Sequence, residues 1–160
     1  MQVENHKEEV PFEHYREKFA ALDPAEAVAR LGVNFSDGEF AVRLLGVTYY
    51  IKHPDFAIRA DGDGLALHSL PAQTFLLRYL LEGKRTPATP EFKTFREMPW
   101  GELYVQPFTG RVLTRAAFTF GTRVEKFRAA AEKLGGLLLH HGDAAYEFDF
   151  LDNYRLRLIV

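Results

Sequence analysis

The sequence contains no cysteine, one tryptophan, two methionines, and serine only at Ser36 and Ser69. Without cysteine there is no disulfide, no thiolate nucleophile, no cysteine-rich zinc site and no cysteine-held iron–sulfur cluster. Neither serine lies in a Gly-x-Ser-x-Gly turn, so the nucleophile elbow of hydrolases is missing. No Gly-x-Gly-x-x-Gly and no Walker lysine is present to cradle a nucleotide phosphate. An excess of one charge is missing too. Twenty Lys+Arg against twenty-two Asp+Glu leave −2, which counts against a broad electrostatic footprint for nucleic acid or anionic lipid. Long apolar runs are also absent. Phe75 to Leu81 is the best and is interrupted by Arg78, far short of the roughly 18–20 residues that span a bilayer. The first ten residues are polar and carry three Glu, so there is no apolar core of a secretion signal. The expected setting is the cytoplasm, away from membranes.

What remains is ordinary globular material. The 160 residues are 47% hydrophobic, which suits a single domain over 1–160 with a core that needs no covalent staples. Phe12, Tyr15, Phe19 and Leu22 recur at helical spacing. Asp23-Pro24-Ala25-Glu26 then restarts a helix, with Asp23 as cap, Pro24 at the first helical position and Gly32 as its end. Glu39 to Lys52 changes to β-branched and aromatic residues around Gly46, the pattern of a hairpin whose second strand is Val47–Ile51. His53-Pro54-Asp55 breaks that strand, Phe56 to Arg59 forms another, and Asp61-Gly62-Asp63-Gly64 is turn chemistry without the distal ligands of a calcium loop. Ser69 and Pro71 open a helix with Leu76, Tyr79 and Leu80 inward and Gly83 as its stop.

Further on, Pro99 to Gln106 and Thr109 to Phe120 read as two helical pieces separated by Pro107. Thr122-Arg123-Val124-Glu125 has the form of a capping box and leads into a helix that ends at Gly135-Gly136. Leu137 to His140 is an apolar strand. Tyr146, Phe148 and Phe150 share one face of the next strand, and Glu147 and Asp149 share the other. A turn at Leu151-Asp152-Asn153 sets Asp149 opposite Arg155 and Glu147 opposite Arg157, a register held because a one-residue slip would expose the aromatic face. The fold expected is α+β: N-terminal helices, a predominantly antiparallel sheet, and a central helical block on one sheet face.

Several segments resemble a known family. They are Gly46-Val47-Thr48-Tyr49-Tyr50, Leu70-Pro71-Ala72-Gln73, Phe95-Arg96-Glu97-Met98-Pro99, Phe120-Gly121, Leu134-Gly135-Gly136 and Gly142-Asp143-Ala144-Ala145. In this order they resemble an uncharacterised prokaryotic domain-of-unknown-function family, DUF3786, from about residue 39 to the C-terminus. The family has no established catalytic residues to carry over. Some relatives sit beside a four-cysteine iron–sulfur module of the kind found with corrinoid proteins, and that module is missing here. Relatives usually continue beyond the strand ending at Val160, so the resemblance implies a chain lacking a C-terminal continuation.

Four residues are candidates for a site. His53-Pro54-Asp55 and His141-Gly142-Asp143 each place an imidazole and a carboxylate two residues apart, on the same side of an extended segment. Together, His53, Asp55, His141 and Asp143 make a donor set for Zn, Fe or Mn, and His141 with Asp143 is the leading ligand-binding pair. Against this stands the plain reading that Asp after Pro and after Gly is turn chemistry. Glu97 and Glu102 near Trp100 suggest a carboxylate with a raised pKa, or else a first-turn acid and an ion-paired one. Arg111, Arg115, Arg123, Lys126 and Arg128, with Phe118, Phe120 and Phe127 interleaved, suggest a single-strand grip or a solvated basic face. The neutral overall charge favours the solvated face.

The function expected is a non-catalytic binding or accessory domain, linked through the resemblance to anaerobic metalloprotein or corrinoid metabolism. The alternative is a small enzyme with a His/Asp site, with or without metal, and the residues leave the choice open. The expected partner is another protein, or a second copy through the C-terminal edge strand, where Leu156, Leu158 and Val160 alternate to the last residue.

Overall fold

The computed structural model describes residues 6–160 except 63, 65, 88 and 153. The expected turn residues Asp63 and Asn153 therefore lie outside the described residues. The chain divides into two compact units, one up to Thr86 and one from Pro87 to Val160. Helices and antiparallel strand pairs make up both, so the fold is α+β.

The first unit begins with α1 (His6–Ala20) and α2 (Pro24–Leu31). Asp23 caps α2 by accepting from the Ala25 amide at 2.9 Å, Pro24 opens it, and Gly32 closes it in the left-handed region at φ 69°. Four strands follow: β1 (Asn34–Ser36), β2 (Glu39–Leu44), β3 (Val47–Lys52) and β4 (Ile58–Ala60). They pair antiparallel in chain order. Two-residue turns join β1 to β2 at Asp37-Gly38 (φ 53° and 78°) and β2 to β3 at Leu45-Gly46 (φ 48° and 76°). Positive φ at both central residues is what the right-handed strand twist selects. Sequence periodicity misses β1 because three residues carry no alternation, yet Asp-Gly before a strand is the signal that finds it.

α3 (Leu70–Glu82) is capped by Ser69, whose hydroxyl accepts from the Ala72 amide at 3.2 Å. It buries Leu76, Leu77 and Leu80, while Tyr79 is only half-buried. Its last carbonyls have no intrahelical donor. Arg30 supplies one, donating Nη2 to Leu80 O at 2.7 Å and Nη1 to Gly83 O. The core of this unit is aromatic: Phe19 lies edge-on to Phe56 and tilted against Phe40, and all of its surface is buried.

In the second unit a 3₁₀ turn at Phe95–Glu97 leads into α4 (Gly101–Phe108), a π turn at Thr109–Leu113 and α5 (Thr114–Phe120). Pro107 therefore does not separate two helices, as the sequence suggested. A proline removes one helical donor and crowds the preceding turn. Here the π turn that follows accommodates the disruption, so the helical path continues. Phe95 stacks flat on Phe108, with centroids 3.9 Å apart.

α6 (Val124–Lys133) starts one residue later than the capping box at Thr122 would place it. Its N-cap is Arg123, with no side-chain cap bond. Arg123 is held back towards α5, its amide donating to Phe120 O at 2.7 Å and its guanidinium to Phe118 O at 3.1 Å. A capping box does form, but at Thr94 and Glu97.

The strands of this unit are β5 (Leu137–Leu139), β6 (Ala145–Leu151) and β7 (Tyr154–Ile159), antiparallel in the order β5-β6-β7. Glu147 faces Arg157 and Asp149 faces Arg155, the expected register. The turn is tighter than the expected three residues, because Leu151 pairs with Tyr154 and an irregularity falls between Asp149 and Leu151. Tyr146 and Phe148 are buried, with Tyr146 against Phe127 of α6, and Phe150 is half-buried. The chain leaving α6 comes close enough that a Cβ on Gly136 would stand 2.8 Å from the Phe148 ring.

Candidate functional site

The His-x-Asp pairs have separate surroundings. His53 is half-buried among Phe19, Phe35 and Phe40, with Nε2 3.1 Å from Phe19 O. Asp55 is exposed and lies 3.7 Å from Lys52 Nζ. His141 and Asp143 are exposed on the bend before β6. The Asp143 main chain is tied at both ends, its amide donating to Val160 O at 2.9 Å and its carbonyl accepting from Arg128 at 2.5 Å. Among the described residues, no three His, Cys, Asp or Glu side chains gather as a metal-holding group.

Glu97 and Glu102 have found other partners. Glu97 accepts from the Thr94 hydroxyl at 2.7 Å and the Thr94 amide at 2.8 Å, and these bonds lower its pKa. That is the opposite of what a general acid at neutral pH needs. Glu102 pairs with Arg96 at 3.1 Å on the surface. The first-turn role assigned to Glu102 fits, whereas Glu97 is a cap rather than an ion-pair partner.

The strongest electrostatic cluster lies on β6 and β7. Glu147 is buried, and its two oxygens accept from Arg155 Nη1 at 2.6 Å and Arg157 Nε at 2.8 Å. The bond from Arg157 is the main cause of its lowered pKa, opposed by burial and assisted by Arg155. Arg157 also lies over the Phe92 ring at 3.6 Å. On the other face of β6, the Tyr146 hydroxyl donates to Glu132 at 3.1 Å, and burial, then Glu132, raises its pKa. Both clusters lock β6 in place, and Arg128 belongs to that framework rather than to a free basic face.

The surface also carries an apolar stretch. From the 3₁₀ turn to the end of α5, large hydrophobic side chains face outward: Trp100 is 77% exposed, Leu103 69%, Tyr104 57% and Phe118 82%. Val112 and Leu113 are also exposed, and of all α4 only Gly101 is buried. Gly101 is required there, since a Cβ would meet Phe95 O at 2.0 Å. Trp100, Leu103 and Tyr104 are spaced by three and one along the helix, so their exposure is grouped on one side, whereas single exposed apolar residues are commonplace. Sequence reasoning singled out Phe118 for its neighbouring arginines and Trp100 only as a neighbour of Glu97 and Glu102, and missed Leu103 and Tyr104. Apolar residues at helical spacing are assigned inward by default, and only packing shows otherwise.

A concavity of about 600 Å³ lies between α1 and α3 and is lined by Pro11, Pro71, Phe75, Arg78 and Tyr79, among others. The Arg78 guanidinium is held by Glu82 at 3.0 Å and lies 5.4 Å from the Tyr15 ring centroid. None of the described helices is long and apolar enough to cross a membrane.

Fold and surface together define an α+β protein with paired antiparallel strands and an outward-facing apolar helical stretch. A family model described as a domain of unknown function, DUF3786, matches residues 23–160. The chain belongs to that family, and the match reaches back to the cap of α2, beyond the segments that carried the resemblance. No curated protein and no solved structure matches the chain.

Proposed function

We propose that this chain is a non-catalytic binding or accessory domain that works by contact with a protein partner. The surface is the helical stretch from Trp100 to Phe118. The observation that carries this reading is the run of large side chains there, which α4 and α5 leave in water. Hydrophobic burial is the dominant gain in protein association, and aromatic side chains are enriched where partners meet. A narrower role, in an anaerobe's metalloprotein or corrinoid system, rests on the family resemblance alone. The family match over residues 23–160 reaches into both compact units, which supports treating that part of the 1–160 chain as one functional module. The test is a photo-activatable cross-linker at Leu103, with Lys93 as an exposed polar control, in cells that naturally make this protein. The reading requires discrete adducts from position 103 and none from 93. No adduct at 103 would overturn it.

A further inference from the structure

Gly110, Arg111, Thr114, Arg115, Phe118 and Thr119 share one recessed helix face. It contains two guanidinium groups and no acid. Neither Arg111 nor Arg115 has a side-chain hydrogen bond or ion pair among the described residues. The space over Gly110 is open, since a Cβ there would meet nothing within 4 Å. An arginine-flanked aromatic surface of this kind suits an acidic partner with a small apolar contact.

Such a partner exists in the same chain. On α1, Val10 is 63% exposed, and Glu13 and Glu17 are exposed with it. At about 100° per residue these three fall on the side of α1 opposite the buried Phe19. Val10, Glu13 and Glu17 step by three and then four residues. Phe118, Arg115 and Arg111 step by three and then four in the reverse direction. Two antiparallel helices would bring Phe118 and Arg115 level with Val10 and Glu13 at a rise of about 4.5 Å. Arg111, drawn closer by the wider π turn, stays on the same face within a helical turn of Glu17. Glu13 already accepts from Arg16 at 2.7 Å, but that pair is exposed on both sides and competes weakly.

Resting on the reading above, we infer that the α5 face docks on α1 of a second copy of this chain. Phe118 lies on Val10, Arg115 meets Glu13 and Arg111 meets Glu17. The contact joins unlike surfaces, so it closes into a pair where both copies make it reciprocally and otherwise extends into a chain. The C-terminal edge strand is the poorer self-contact. An antiparallel β7 pair centred on Arg157 would set two arginines face to face, and charged edge residues commonly oppose such pairing.

The test is sedimentation velocity on the full chain from about 5 to about 300 µM, at about 50 and about 500 mM salt. The wild type should gain mass with concentration, less so at high salt. Arg115→Glu and Glu13→Arg should each weaken association at least about tenfold, and an equimolar mixture of the two should associate again. Both substitutions are on exposed helix faces, and Arg111→Glu with Glu17→Arg replaces the pair if circular dichroism shows either variant unfolded. A wild type that stays monomeric at low salt, or a mixture that does not recover, overturns the inference. So does Arg115-dependent binding of a single-stranded oligonucleotide without self-association. Adducts from Leu103 that persist with a monomeric wild type remove this proposal and leave the binding-domain reading standing. Loss of those adducts removes the reading itself.

Discussion

Glu147 and Arg157 face each other across β6 and β7, and the Arg157 Nε donates to Glu147 Oε2 at 2.8 Å. Arg155 reaches the other carboxylate oxygen at 2.6 Å, although its register partner is Asp149. One buried carboxylate thus holds both arginines of the last strand.

This arrangement makes the protein sensitive to acid. The Glu147 pKa is lowered in the folded state, so its stabilisation is full above the unfolded value of about 4.3 and is lost as pH falls through the lower folded value. Glu147→Gln should cost about 1–3 kcal/mol at neutral pH, nearer the lower figure because Arg155 is well exposed. Melting temperatures of wild type and variant should converge as pH drops from 7 towards 3. A gap that stays constant would show that the carboxylate charge contributes nothing.

The opposite face of β6 carries the core of the second unit. Phe148 is 3% exposed, and Phe148→Ala should cost about 3–5 kcal/mol, from lost transfer energy and the cavity left behind. A urea midpoint equal to wild type would remove Phe148 from the core.

The β2–β3 turn offers a gain. Leu45 holds φ 48° ahead of Gly46, a region that costs a leucine roughly 1–2 kcal/mol. Asn-Gly is the favoured pair for this turn. Leu45→Asn should therefore raise the thermal midpoint by a few degrees, net of the half-buried leucine contact it gives up. A lower midpoint would mean that the Leu45 side chain outweighs the backbone strain.

These positions show what could be read from the chain alone. The β6–β7 register was legible because alternating aromatics and charges agree on it, and the β2–β3 hairpin because Gly46 marks its turn. The helical block was harder. Pro107 reads as a break, and nothing local announces a π turn that lets the helix continue. Thr122 and Glu125 have capping-box spacing, but Arg123 reaches back to Phe118 and shifts the helix start by one residue. The candidate surface was the least legible. A spacing that puts Leu103 and Tyr104 on a helix says nothing of whether another element covers them.

The most direct test of the contact-surface account is hydroxyl-radical footprinting of Met98, Trp100 and Tyr104, with half-buried Tyr50 as the internal reference. All three are exposed in the free chain, so the dilute purified protein should be heavily oxidised at each. In the cells that make it, the account predicts protection of Trp100 and Tyr104 relative to Tyr50. Equal oxidation of these residues in the two settings would contradict it.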